Sequence, residues 1–206
     1  MGRSSRQQAE LNRTEILKAA SALFRERGVD NVSISDVMTA VGLTAGGFYR
    51  HFTSKEALVN EVLSTVFEQS SQRWKKTGET GNYLAKDGLE TLISQYFRKK
   101  QPDQTCPILA FAPHVSHDSA GAETVDLYGS HTEALYQHFR QTAQQSAANG
   151  LCAAMSEQQI QVLFAAMIGT GFLAQSVNDA EWIQSLKAAV LGFCQGQNME
   201  NTEGSC

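Results

Sequence analysis

The sequence is most informative first in what it does not contain. It has no run of about 18 consecutive apolar residues, so no transmembrane helix is expected. Met1 to Arg13 is polar, carries three arginines and is followed by no apolar core of a signal peptide. No secretory signal is therefore read there, and the cytoplasm is the expected location. The four cysteines, Cys106, Cys152, Cys194 and Cys206, lie 46, 42 and 12 residues apart. That spacing excludes a CxxC pair and a zinc-ribbon rhythm, and it points to reduced thiols. There is no phosphate-binding loop, no oxyanion motif and no recognisable pair of acids, so no catalytic residue, no metal and no cofactor is assigned. Positive charge is also scarce: the net charge is −4, which for the chain as a whole argues against nucleic acid.

Splitting the chain reverses that last inference. Residues 1–60 hold eight Lys and Arg against six Asp and Glu, a net of +2, while residues 61–206 hold nine against fifteen, a net of −6. A mildly basic head on an acidic body fits a nucleic-acid reader joined to a different module. The head contains the stretch that organises the rest, Val32 to Leu58. Ser33 or Ser35 is placed to cap a short helix. Ile34, Val37, Met38 and Val41 form its inner face, and Gly42 supplies the left-handed backbone of a tight turn. A second short helix, Ala45 to Phe52, puts Phe48 and Phe52 four apart on a buried face. Thr44, Ala45, Gly47, Tyr49, Arg50 and His51 are left towards the open side. Two short helices about a glycine turn, backed by the apolar helix of Ile16, Ala20, Leu23 and Phe24, predict a helix-turn-helix reader of duplex DNA. Gly46 and Gly47 each lower helix propensity by roughly 1 kcal/mol relative to alanine, which suggests close approach of backbone to DNA.

These residues carry a resemblance. RTEILKAASALFRERG, then ISDVMTAVGLTAGGFYRHF, then SKEAL, with the pattern Gly-x-Phe-Tyr-x-His-Phe-x-x-Lys-x-x-Leu ending at Leu58, is similar to the DNA-binding domain of the TetR family of transcriptional regulators. The resemblance covers about the first 60 residues. It implies an all-α homodimer: an N-terminal three-helix helix-turn-helix domain, and a C-terminal helical domain for ligand binding and dimerisation. It also implies that Tyr49, His51 and Lys55 position phosphates, while Thr44, Ala45, Gly47 and Arg50 lie nearest the bases. Ser33, Ser35 and Gly46 complete the expected DNA-facing set.

The expected organisation is a flexible basic arm at 1–10, the reader at 11–58, a helical ligand-binding and dimerisation body at 59–195, and a disordered tail at 196–206. Within the body, Thr77 to Asn82 (TGETGN) reads as a break and 83–100 as a helix. Pro107 suits the first position of another helix, which puts Cys106 at a helix N-terminus, where a thiolate is stabilised. Cys106 is thus either a reactive sensor of oxidants and electrophiles or a packed residue. Cys106, His114 and His117 make three metal donors without a fourth, so no metal site is assigned. Helices are expected over 122–148, from a Ser156–Gln159 capping box to about 177, and around Trp182 to Phe193. The last two are apolar enough to suggest a four-helix dimer interface. Aromatic content and periodicity nominate Phe97, Cys106, Phe111, His114, Tyr128, Phe139 and Phe172 as pocket walls.

The resulting expectation is a ligand- or redox-responsive DNA-binding regulator. It would act as a repressor released from a palindromic operator by a small hydrophobic or electrophilic effector, or by modification of Cys106. Two alternatives stand beside it. One is an enzyme using Cys106 with His114 or His117 as base; the other is a constitutive DNA-binding protein without a ligand. No membrane partner is expected.

Overall fold

Capping chemistry and helical periodicity account for most of the element bounds. The computed structural model describes residues 2–83, 87–98, 101, 104–116, 120–177 and 180–194. Among these it contains α-helices and one 3-10 helix, and no strand. Helix α1 (Gly2–Arg27) buries Ile16, Ala20 and Phe24 and stops at Gly28, whose φ of +82° a side chain would resist. It starts far earlier than expected. The helix runs back across the stretch read as a flexible arm. Between Arg3 and Arg27 the chain has no glycine or proline to interrupt it.

Helix α2 (Ile34–Ala40) has the capping box that Ser33 offers: the Ser33 hydroxyl accepts from the Asp36 N–H, and the Asp36 carboxylate accepts from the Ser33 N–H at 2.8 Å. Gly42, at φ +69°, makes the turn. The next element, Ala45–Arg50, is a 3-10 helix. Helix α3 (Lys55–Tyr83) then passes straight through TGETGN, where a break was expected. Gly78 explains why: a Cβ there would lie 2.8 Å from Oγ1 of Thr142, so this glycine serves close packing and not a turn. Because α3 occupies residues up to Tyr83, α4 is short, Gly88–Tyr96, and begins at an Asp87 cap. Helix α5 (Pro107–Ser116) starts at Pro107, and α6 spans Ala122–Ala148, both as the sequence predicts. Helix α7 (Glu157–Ser176) opens with the Ser156–Gln159 capping box, and α8 is Glu181–Cys194.

Two compact units emerge, 1–70 with 100–134, and 71–99 with 135–206. In the first, α1 packs against α2 and α5 around Phe24, Met38, Phe48, Leu63, Phe67 and Phe111. In the second, α7 packs on α8 and both pack on α4 around Leu89, Ile93, Phe139, Met167 and Ile183. The reader at 11–58 lies inside the first unit, which also takes in α5 and the start of α6, beyond the boundary expected at residue 58. The tail expected at 196–206 lies outside the described residues.

Candidate nucleic-acid interface

The 3-10 helix is locally weak. Thr44 precedes it in an extended conformation and makes no side-chain cap. Gly46 and Gly47 follow, each unfavourable in a helix. The backbone closes through Gly47 N to Thr44 O at 2.9 Å and His51 N to Phe48 O at 2.8 Å, short-range bonds typical of the tighter helix. Its anchor is Phe48, fully buried and stacked on the buried Phe52 with ring centroids 5.6 Å apart. Thr44, Ala45, Gly46, Tyr49 and Arg50 are exposed, with Tyr49 67% accessible; Gly47 and His51 are half-buried. Among the described residues, no neighbour demands a glycine at either position. A Cβ on Gly46 would meet nothing within 4 Å, and one on Gly47 would make ordinary contact with Met38 Cε at 3.6 Å.

Two other expected DNA-facing residues have structural partners. Ser33 spends its hydroxyl in the α2 cap, and its hydrogen bonds hold the Asp36 carboxyl below the usual carboxylate range. Lys55 donates from Nζ to the Val29 carbonyl at 2.8 Å. That bond leaves two of its ammonium donors for other partners. Ser35 is exposed.

Within the same unit, Thr105, His114 and Gly121 are tied to the reader by polar contacts that the sequence pattern does not reveal. Arg25 donates from Nε to the Thr105 carbonyl at 2.9 Å, and His114 Nδ1 lies 2.7 Å from Asp30 Oδ1. Glu56 Oε1 accepts from the Gly121 N–H at 2.9 Å, at the start of α6. Each pair is separated by more than 60 positions, so no local signal could have found it.

The seven nominated pocket residues are distributed over both units. Cys106, Phe111, His114 and Tyr128 fall in the first unit, and Phe97, Phe139 and Phe172 in the second. Cys106 is a free thiol, 5% exposed, and its carbonyl accepts the Ala110 N–H at the start of α5. Tyr128 donates to the Ile108 carbonyl at 2.9 Å, and burial pushes its phenol above the ordinary range. Phe111 and Phe139 are fully buried. Phe172 is 55% exposed, so this unit alone does not make it a pocket wall: it lies on the outward face of α7, where the all-round apolar pattern hides which side is covered. The nominated pocket walls leave out Trp74, Tyr136 and Phe164. Phe164 meets Trp74, Tyr136 and Phe139 edge-to-face at 5.3–6.4 Å. Only the Tyr136 and Phe139 spacing on one helix hinted at this cluster.

His117 lies outside the described residues, and among those described no group of three His, Cys, Asp or Glu is arranged to hold a metal. Burial raises the thiols of Cys152 and Cys194 to about 11 and about 12, which keeps both protonated. Among the described residues no helix is long and apolar enough to cross a membrane.

Comparison with known proteins bears on both the reader and the fold. Residues 16–62 match the model of the bacterial regulatory proteins of the tetR family. The HTH-type transcriptional repressor KstR2 of Rhodococcus jostii is 35% identical over 82 residues, which span 40% of this chain and 40% of that protein. The sequence likeness thus covers less than half of the relative's length. Over the larger span the likeness is one of fold. The reduced form of Escherichia coli NemR superposes with a TM-score of 0.71 at 21% identity, covering 87% of this chain and 95% of that one. A TetR-family regulator from Cytophaga hutchinsonii reaches 0.76 at 12% identity, covering 94% and 98%.

Proposed function

The chain belongs, through residues 16–62, to the TetR family of bacterial regulatory proteins, and on that premise we propose that it is a homodimeric, effector-controlled regulator that binds a palindromic DNA operator as a repressor. The observation that carries this reading is the exposed face of the 3-10 helix. Thr44, Ala45, Gly46, Tyr49 and Arg50 face solvent, and Gly46 leaves room that a Cβ would enter without meeting anything within 4 Å. A duplex can occupy that room: backbone and small residues approach it, while Tyr49 and Arg50 reach phosphates or base edges. Paired readers would engage half-sites about 34 Å apart.

Dimerisation is supported by α7 and α8. After Glu157, α7 carries no charged residue, and its exposed side holds Val162, Ala165, Gly169 and Phe172. Trp182 and Phe193 are 49% and 42% exposed on α8. Pairing these helices with their copies would make a four-helix interface and cover the apolar residues. The effector is a small hydrophobic or electrophilic molecule, and it releases DNA by binding the non-reading form more tightly. Cys106 modification is a narrower form of the same control. At 5% exposure the thiol meets an electrophile only when the start of α5 opens.

Selection of duplexes from a randomised pool by the purified protein tests the reading. The expected result is enrichment of a two-fold-related sequence, with Tyr49→Ala lowering affinity for it about tenfold or more while leaving the melting temperature unchanged. Enrichment of no sequence would refute the reading.

A further inference from the structure

Arg13, the first residue of the RTEILKAASALFRERG segment, sits half-buried on α1, and the sequence assigns it no role. In the structure its guanidinium meets two groups at once. Its two terminal nitrogens fork onto the two carboxylate oxygens of Glu61 on α3. Its Cζ lies 4.7 Å from the centroid of the Phe52 ring, the geometry of a cation–π contact. Phe52 stacks on Phe48, and Phe48 meets the ring of Tyr49 edge-on, with centroids 5.3 Å apart and planes at 85°. An unbroken row of contacts therefore runs from Glu61 through Arg13, Phe52 and Phe48 to Tyr49, the most exposed aromatic ring of the DNA-facing surface.

We infer that Arg13 is a positioning residue for DNA recognition: anchored by Glu61, it covers Phe52 and thereby fixes the pose of the 3-10 helix that carries Tyr49 and Arg50. The inference rests on the DNA-binding reading above. Its physical basis is that the 3-10 helix cannot hold its own orientation. It is six residues long, lacks a side-chain cap and contains two glycines, so its pose comes from the packing of Phe48 and Phe52. Only a planar, forked cation can lie against a ring and clasp both oxygens of a carboxylate; lysine offers a point charge instead. The Arg13 and Glu61 side chains are 40% and 34% exposed. A pair that open to water contributes little to global stability, so its removal is expected to disturb recognition more than folding.

The competing role for Arg13 is a direct phosphate contact, and the two roles predict opposite signs at Glu61. The test uses wild type, Arg13→Lys and Glu61→Gln. The probes are a duplex that the wild-type protein enriches from a randomised pool and a shuffled duplex of the same composition. Affinity is read across a salt series beside thermal melting. Positioning predicts that both variants lose about tenfold on the enriched duplex, the order of one base contact's discrimination. Losses on the shuffled duplex are smaller, and the salt slope is unchanged. Glu61→Gln removes a negative charge, so electrostatics alone predicts tighter binding. An unchanged or tighter Glu61→Gln complex overturns the inference. So does an Arg13→Lys loss that is equal on both duplexes and accompanied by a shallower salt slope. Should Arg13→Lys fold poorly, the shape-conserving Glu61→Gln carries the test alone. If the wild type enriches no duplex, the DNA-binding reading falls with the inference; if it does and the variants match it, only the inference falls.

Discussion

Two outward faces of this protein carry the same kind of small residue in different company. On the 3-10 helix, Ala45 and Gly46 are exposed between Thr44, Tyr49 and Arg50; on α7, Ala165 and Gly169 are exposed between Val162 and Phe172. A Cβ on Gly46 or on Gly169 would touch nothing within 4 Å. Neither glycine is demanded by the fold, and both leave a place where another surface can come close. What differs is the company they keep. Hydroxyl, phenol and guanidinium groups surround the first, suited to phosphates and base edges. Around the second, α7 offers no charge at all after Glu157, which suits a helix of the same composition. Small exposed residues signal close approach, and their neighbours say to what.

The strongest way to break the comparison is to place a charge on the α7 face. Phe172→Glu leaves the monomer's packing intact, because the side chain is already 55% exposed, but buries an unpaired carboxylate in the proposed interface. Light scattering is expected to show monomers at micromolar concentration. Operator affinity should fall by about a hundredfold or more as the second half-site contact becomes a separate binding event. A dimer that survives the change would move the interface elsewhere.

A gentler substitution compares the faces on equal terms. Gly46→Ala and Gly169→Ala each add one methyl in open space, so neither is expected to destabilise the monomer. At the helical Gly169 the gain is up to about 1 kcal/mol. The expected losses are selective: Gly46→Ala weakens the operator complex about tenfold with dimerisation unchanged, while Gly169→Ala weakens dimerisation and affects DNA only through it. Titration calorimetry and dilution experiments on the two variants separate these outcomes. Loss of both properties in either variant would mean that the faces are not independent.

Much of this layout was legible because it rests on local chemistry. Ser33 with Asp36, Gly42, Pro107 and Ser156 with Gln159 each satisfy a backbone requirement within a few residues, and the structure uses them as the sequence implies. Some of the failures share one cause: a local signal was outweighed by something distant. Gly78 looked like a helix breaker and is a packing glycine against Thr142, more than 60 positions away. Phe172 was nominated as a pocket wall and is 55% exposed in its own unit, because an apolar helix does not reveal which of its sides is covered. Residues 105–124 looked like part of the body, yet Arg25, Asp30 and Glu56 tie them to the reader's own unit. For the candidate interface, sequence located the exposed residues of the 3-10 helix but not what holds that helix in place, because Arg13 and Glu61 are paired only by the fold.

The smallest expected effect concerns where the DNA-facing surface ends. Ser33 lies beside it, but its hydroxyl is committed to the α2 cap. Ser33→Ala should therefore cost about 1 kcal/mol of stability, the ordinary worth of a capping hydroxyl, with the DNA affinity of the folded protein unchanged. The acid limb of stability adds a second reading of the same bond. The Ser33 hydrogen bonds lower the folded-state pKa of Asp36. Its contribution is thus complete above the ordinary carboxylate pKa and is lost as pH falls through the depressed value. Removing the hydroxyl eliminates the larger cause of that depression, so melting temperatures of Ser33→Ala and wild type should converge in acid and differ most near neutrality. Weaker DNA binding by the variant at temperatures where it is fully folded would instead put Ser33 in contact with the DNA backbone and extend the DNA-facing surface onto the N-terminus of α2.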